Sequence, residues 1–144
     1  MRVWVFFYGS YINPKVLAEV GLVPKNVQVA SLPGYALTIT PRANLVEEAG
    51  ACAYGIVATA THDELDRLYR HAREVLGQVY RPQAVLVRSQ DGQFRPALTY
   101  LCTDLSGELA ESDYVRRILE PAREYGFPAW YLRHVESFAP PGLG

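Results

Sequence analysis

The stretch Tyr8-Gly9-Ser10-Tyr11 is the part of the sequence best suited to holding a small charged ligand. It follows a β-branched and aromatic run, Arg2 to Phe7, which is typical of a buried strand, and it precedes a helix predicted over Pro14 to Val20. A glycine loop between a strand and a helix exposes backbone N–H groups in one direction and can bind a carboxylate. The same glycine is also expected in a plain tight turn, because it adopts positive φ without strain.

A second group of candidates lies on the helix predicted from Thr61 to about Glu74. Thr61 and Glu64 have the spacing of a capping box, which marks the start of that helix. Tyr69 lies on its apolar face, so we expect the ring to be buried. The chain has ten tyrosines, and those near strand ends or helix starts are candidates for core packing or for lining a pocket: Tyr8, Tyr11, Tyr69, Tyr80, Tyr100 and Tyr114.

The sequence lacks the usual motifs for phosphate binding, metal binding and serine-hydrolase catalysis. The sequence has neither of the glycine-rich phosphate-binding loops. The three histidines, His62, His71 and His134, have no ligand spacing, so we expect surface or capping roles, no metal site and no cofactor. Ser10 lacks the flanking residues of a nucleophile elbow, and the two cysteines are expected to be reduced core thiols.

The order of elements indicates an α+β domain, a mixed sheet or barrel of about six strands with helices outside. The predicted strands are Arg2–Phe7, Val27–Leu32, Tyr35–Thr40, Ala51–Ala60, Val79–Val87 and Phe94–Cys102. Pro33-Gly34 is expected to form a hairpin turn, the stretch from Arg42 to Gly50 a loop, and Gly55 a bulge or close backbone approach. Besides the two helices above, Tyr114 to Tyr125 and Pro128 to Ser137 are predicted helices, the former kinked by Pro121.

Composition limits the kinds of partner. A chain of 144 residues, 49% of them hydrophobic, suits one globular domain, which we expect over 1–139 with a flexible tail over 140–144. The charge of -1 makes nucleic acid or anionic lipid an unexpected partner. No apolar run approaches the roughly 20 residues of a membrane span. The start lacks the features of a secretory signal, so a cytoplasmic protein is expected, and its oligomeric state stays open.

Several motifs, taken in order, resemble the gamma-glutamylcyclotransferase family and its gamma-glutamylamine relatives. Val5 to Ser10 followed by Asn13-Pro14 looks like the family's Tyr-Gly-Ser start. Matches to later family segments follow along nearly the whole chain: Leu32 to Leu37, Ala53 to Val57, Glu64 to Leu68, Tyr80 to Pro82 with Val85 to Val87, and Tyr114 to Tyr131. The resemblance implies a small mixed β-barrel with flanking helices.

The resemblance also implies a reaction. Members of the family convert gamma-glutamyl compounds to 5-oxoproline and a released amine, because the substrate's own α-amine attacks its gamma-carbonyl. Such an enzyme must fold the substrate, hold its α-carboxylate and accept a proton. The family's loop, here Tyr8, Gly9, Ser10 and Tyr11, would hold the carboxylate, and Tyr80 also matches a family motif and is a candidate for lining the pocket.

The chain departs from the family at the proton acceptor. The family has a Glu three residues after the Asp of its Leu-Asp pair, and this position is Tyr69 here, a phenol whose ordinary pKa of about 10 makes it a poor base. Glu74 is the nearest carboxylate downstream, but on a continuing helix it would point about 140° away. Two hypotheses therefore remain: an enzyme using Glu74 or Tyr69 near the reacting amine, and a binding or regulatory module that keeps the pocket without the reaction.

Overall fold

The computed structural model describes residues 1–103 and 107–140. Five strands form a closed barrel in the order β1-β3-β2-β4-β5, and β5 closes it by lying parallel to β1 at Val5 and Leu98. The strands are β1 (Arg2–Phe7), β2 (Lys25–Ile39), β3 (Ala43–Thr61), β4 (Arg81–Ser89) and β5 (Phe94–Leu101). The expected α+β fold, a small mixed barrel with flanking helices, is confirmed.

The strand count differs because the region around Pro33-Gly34 is not a turn. Segments predicted as two strands of a hairpin form one long strand, β2, which pairs antiparallel with β3. The pairing of β2 with β3 shifts register between Pro33 and Tyr35, and Gly34 between them has a φ of 86°. Gly34 can bend the chain at this φ without ending the ladder, so the pattern that predicted a turn marks a bulge.

The prediction of a loop from Arg42 to Gly50 is wrong beyond Arg42, because the segment 43–50 is strand. It forms the first part of β3, and the true turn lies between Ile39 and Ala43, which pair across it. The sequence pattern misled because Asn44, a polar residue, is buried here. Its amide nitrogen donates to the Cys102 carbonyl at 2.6 Å, and its side-chain oxygen accepts from the Cys102 N–H at 2.9 Å.

The described ranges contain four α-helices, which lie outside the barrel: α1 (Pro14–Val20), α2 (His62–His71), α3 (Ser112–Glu124) and α4 (Ala129–Glu136). Asn13 caps α1 by accepting from the Lys15 N–H at 3.0 Å, and the capping box of Thr61 and Glu64 opens α2 as predicted. The chain continues from α2 as a single π-helical turn over Ala72–Leu76 and ends at Gly77 in the left-handed conformation. This turn matters for the site, because its Val75 and Leu76 line a cavity.

The barrel interior fixes the end of β1 against β3. A Cβ atom built on Gly55 would lie 2.1 Å from the Phe7 carbonyl oxygen, which confirms the close backbone approach expected there. Phe6, Phe7 and Tyr8 are fully buried in the same core. The chain therefore leaves β1 inside the protein, and the residues that follow are held by packing.

Some residues covered by the predicted domain organisation lie outside the described residues. This holds for residues 141–144 of the expected tail and for residues 104–106 of the link before α3. The domain extent of 1–139 stays a prediction. In the described ranges, no helix is long and apolar enough to cross a bilayer.

Candidate functional site

The loop after β1 folds into a buried 3-10 helix, Gly9–Ile12. Gly9 has a φ of 63°, and a Cβ atom on it would lie 2.4 Å from the Cβ of Ala43. Both the backbone conformation and the space therefore require glycine. In the i to i+3 pattern of this helix, the first two N–H groups, those of Gly9 and Ser10, have no intrahelical acceptor.

The hydroxyls of buried tyrosines hold this loop and the neighbouring start of β3 in place. The Tyr100 hydroxyl accepts from the Tyr8 N–H at 2.8 Å and donates to the Tyr8 carbonyl at 2.7 Å, and the Tyr8 hydroxyl donates to the Tyr100 carbonyl. The Tyr80 hydroxyl donates to the Ala43 carbonyl. Burial raises the pKa of each of these phenols well above its ordinary value, so all three stay neutral hydrogen-bonding groups.

A cavity of about 210 Å³ lies beside this loop, where α1, the β2–β3 turn, the end of α2 and the start of α3 meet. Its polar lining residues come from all of these elements: Ser10, Glu19, Arg42, His71, Glu111, Asp113, Tyr114 and Arg117. Val16, Val75 and Leu76 supply apolar surface. The combination of both charge signs with a small apolar wall suits a compact zwitterionic ligand.

Ser10 presents a buried hydroxyl at this cavity. The residue is only 4% exposed, and within the described residues its Oγ atom makes no hydrogen bond of standard geometry. The neighbouring Tyr114 hydroxyl accepts from the Ala43 N–H at 2.9 Å, and the Ser10 hydroxyl is close enough to it to lower the pKa of Tyr114, against the larger effect of burial, which raises that pKa. A buried hydroxyl without a good partner favours a ligand that supplies one.

Arg42 supplies a positive charge at the same place. Its guanidinium lies over the Tyr114 ring, 4.8 Å from the centroid. Across the described ranges Arg42 has no ion pair, whereas Arg117 pairs with Glu19 at 3.1 Å and Asp113 pairs with Arg116. Arg42 is therefore the cation of this lining that is available to a ligand carboxylate.

His71, at the end of α2, completes the lining. Its Nδ1 atom lies 3.0 Å from the Tyr11 hydroxyl, and the two rings meet edge to face with centroids 5.8 Å apart. Burial lowers the pKa of His71, with Glu19 opposing this shift and Arg117 adding to it. The imidazole is therefore held in one orientation and is neutral at pH 7.

Comparison with known proteins identifies the family. A family model described as "Gamma-glutamyl cyclotransferase, AIG2-like" matches residues 5–121. The chain belongs to this gamma-glutamyl cyclotransferase family. No curated protein matches the sequence significantly.

Solved structures share the fold of this family member at low identity. A structure named gamma-glutamyl cyclotransferase is 21% identical with a TM-score of 0.81, covering 100% of this chain and 92% of its own. An uncharacterised protein from Homo sapiens is 20% identical with a TM-score of 0.79, covering 99% and 92%. A yeast gamma-glutamyl cyclotransferase specific to glutathione is 13% identical with a TM-score of 0.66, covering 95% of each chain.

Neither of the two catalytic candidates from the sequence is among the residues that line the cavity of this cyclotransferase-family chain. Glu74 is exposed in the π-helical turn and borders a shallower neighbouring depression, together with Glu19 and Val75. Tyr69 is half-buried and packs against the core. Burial, with a smaller contribution from Asp66, raises the pKa of Tyr69 to about 12, which makes it a still poorer base than an ordinary phenol.

The predicted binding residues divide into two groups. Ser10 lines the cavity, and Tyr11 reaches it through its hydrogen bond to His71. Tyr8 and Tyr80 lie in the barrel interior, where their hydroxyls are bonded to backbone. Gly9 acts by its conformation, which places Ser10 at the cavity.

Sequence reasoning missed Arg42 and His71. The sequence pattern predicts a loop without hydrophobic periodicity at Arg42, and a surface or capping role for His71. His71 lies two residues beyond Tyr69 and three before Glu74, so the helix that lost the family's Glu carries another proton acceptor nearby. A histidine near a missing carboxylate is the sequence feature that would have drawn attention to it.

Proposed function

We propose that this protein binds a small gamma-glutamyl compound through its α-amino and α-carboxylate groups and closes its ring to 5-oxoproline, releasing an amine. The observation that carries the proposal is the cavity in which, among the described residues, the Ser10 hydroxyl makes no hydrogen bond of standard geometry and Arg42 makes no ion pair. Membership of the cyclotransferase family supports a small-molecule substrate of this class.

The α-carboxylate fits beside Arg42 and Ser10. Arg42 offers a charge-assisted hydrogen bond, and the buried Ser10 hydroxyl can donate to the same carboxylate with better geometry than it has within the protein. The first turn of α3 borders the cavity through Asp113 and Tyr114, and the N-terminal end of a helix favours an anion. These contributions act together on one negative group.

The α-ammonium fits beside Glu111. Glu111 precedes α3, its side chain makes no capping bond, and it has no ion pair in the described part of the chain. Arg42 and Glu111 together supply the two opposite charges that an amino acid requires. A ligand that lacks either charged group would leave one of these residues uncompensated.

Turnover of a panel of gamma-glutamyl amines and gamma-glutamyl dipeptides, measured as 5-oxoproline release, tests the proposal. Arg42→Met should raise KM by about 10-fold or more, because a charge-assisted hydrogen bond is worth about 1.5–3 kcal/mol. Arg133→Met, at an exposed position of α4, is the matched control and should behave as wild type. Equal KM values in Arg42→Met and wild type would place the carboxylate elsewhere.

The second candidate function is a binding module without turnover. It is favoured by one observation, that Tyr69 stands at the family's Glu position while Glu74 lies outside the cavity lining. Calorimetric titration with the same compounds separates the two functions. Saturable binding without 5-oxoproline release from any compound would establish the binding module.

A further inference from the structure

His71 is an imidazole in the lining of this cavity. It lines the cavity together with Ser10 and Arg42, and it also borders the neighbouring depression that Glu74 lines. His62 is exposed at the opposite end of α2, and the Nε2 atom of His134 lies 2.7 Å from the Leu37 carbonyl near α4. Among the described residues, His71 is therefore the only imidazole at this site.

Tyr11 holds the ring of His71 from the side of the Tyr-Gly-Ser loop. The Nδ1 atom and the Tyr11 hydroxyl are 3.0 Å apart, and Tyr11 itself is 2% exposed. Burial raises the pKa of Tyr11, so the phenol stays protonated and neutral beside the ring. The direction of this hydrogen bond depends on the imidazole tautomer. In the tautomer that carries its proton on Nδ1, the Tyr11 oxygen accepts, and the lone pair of Nε2 is available to accept a proton.

Charged groups reach His71 from three other elements. Glu19 of α1 raises its pKa and Arg117 of α3 lowers it, and these two residues also pair with each other at 3.1 Å. Arg42 of the β2–β3 turn lines the same cavity. The remaining charged neighbours are Glu111 and Asp113 at the start of α3, and Arg67, Arg70 and Glu74 along its own helical segment.

We propose that His71 is the general base of the ring closure, in the role for which this chain lacks the family's Glu, and that Tyr11 is its positioning residue. The inference rests on the proposed function, because it requires a gamma-glutamyl compound in the cavity. It assigns to Glu74 no part in proton transfer.

One histidine can carry out every proton transfer of the reaction. Nε2 of neutral His71 takes a proton from the α-ammonium, and the freed amine attacks the gamma-carbonyl carbon, so a C–N bond forms and the carbonyl becomes an oxyanion. The imidazolium then gives its proton to the leaving nitrogen as the old C–N bond breaks and the carbonyl re-forms. The second proton of the attacking nitrogen passes through His71 to the released amine, which leaves as an ammonium, and His71 is neutral again.

The pKa of His71 agrees with this role. Burial holds it below the ordinary histidine value of about 6.5, so the accepting form predominates at pH 7. The kcat/KM of the wild type should therefore rise with pH to a plateau, through an inflection below about 6.5. A carboxylate base would give an inflection nearer the ordinary Glu value of about 4.3.

The experiment compares three variants on one gamma-glutamyl amine, with KM and kcat measured across pH 4.5 to 9. His71→Gln should lower kcat by about 10²-fold or more with little change in KM, since general base catalysis is worth about that much, and should remove the inflection. Tyr11→Phe should give a smaller loss of kcat and move the inflection. His62→Gln, on the exposed start of the same helix, is the matched control and should match wild type.

Two further measurements keep the outcome decisive if a variant folds poorly. Thermal melts show which variants are folded, and an NMR titration of the His71 ring protons in the wild type needs no substitution. Addition of L-glutamate, which keeps the α-groups but releases no amine, should shift the His71 resonances and leave those of His62 unchanged. Unchanged His71 resonances at saturating L-glutamate would overturn the inference.

The outcomes separate this inference from the proposed function. If wild type releases 5-oxoproline and folded His71→Gln retains its kcat, the inference is overturned and the proposed function stands. If Glu74→Gln loses kcat instead, Glu74 is the base and the inference is overturned in its favour. If wild type releases no 5-oxoproline from any compound, the ring closure of the proposed function fails, and the role of His71 fails with it.

Discussion

Replacing Gly9 by alanine should destabilise the protein through two separable effects. The backbone at Gly9 has a φ of 63°, which costs an L-residue about 1–2 kcal/mol. The new Cβ would also lie 2.4 Å from the Cβ of Ala43, and overpacking of this kind costs about 1–3 kcal/mol. The total of about 3 kcal/mol corresponds to a fall in Tm of about 10 °C for a chain of this size.

A double-mutant cycle separates the two effects. Ala43→Gly removes the opposing Cβ and by itself should cost about 1 kcal/mol, while the Ala43 backbone groups that bind Tyr80 and Tyr114 remain. The double variant should lose only about 2 kcal/mol, against about 4 kcal/mol for simple addition, because the steric clash is gone and the cost of positive φ remains. Urea unfolding followed by fluorescence measures all three free energies.

The control for the conformational cost is Gly92→Ala. Gly92 also has positive φ, at 86°, but a Cβ atom there would meet nothing within 4 Å, so the loss should be about 1 kcal/mol. If Gly9→Ala costs no more than Gly92→Ala, or if the cycle is additive, the contact between Gly9 and Ala43 does not hold the loop as described. The placement of Ser10 at the cavity would then lose its structural basis.

Two further predictions concern α2. Glu64→Gln should lower stability at pH 7 by about 1–2 kcal/mol in urea unfolding, because the Glu64 carboxylate accepts from the Val23 N–H at 2.7 Å and the Thr61 N–H at 2.9 Å and lies 3.4 Å from Arg2. Burial opposes ionisation of Glu64, but these partners outweigh burial and lower the pKa of Glu64. The stabilisation by Glu64 is therefore fully present above the ordinary Glu pKa and is lost as pH falls through the lowered pKa. Equal loss of stability in acid for the variant and the wild type would contradict this prediction. Tyr69→Phe should change ligand affinity and stability by no more than about 0.5 kcal/mol, because its hydroxyl has no hydrogen bond in the described residues; a loss of affinity by calorimetry would place Tyr69 at the site.

The sequence was sufficient to predict the elements that local rules determine. Asn13-Pro14 fixed the start of α1, and the Thr61 and Glu64 capping box fixed the start of α2, because caps act over three or four residues. The sequence predicts a hairpin turn at Pro33-Gly34, where the structure has a bulge within β2, because a bulge and a turn can use the same Pro-Gly pair. Only the pairing partner distinguishes the two, and that partner is distant in sequence.

Only the part of the candidate site that is local in sequence could be predicted, for the same reason. Gly9 and Ser10 follow a strand and precede a helix, so local order reveals them. Arg42, His71 and Glu111 come from three separate elements, and only the folded barrel brings them to one cavity. Tyr69 could be identified as a departure from the family pattern, but whether it lines the cavity depends on how α2 packs.

A crystal structure of the wild-type protein with L-glutamate tests the central claim most directly. The account predicts the α-carboxylate within hydrogen-bond distance of Arg42 and Ser10, the α-ammonium facing Glu111, and the α-nitrogen within reach of Nε2 of His71. L-glutamate bound elsewhere, for example in the apolar groove lined by Leu17, Val27 and Tyr125, would contradict the account. So would an empty cavity in crystals grown at a concentration that calorimetry shows to be saturating.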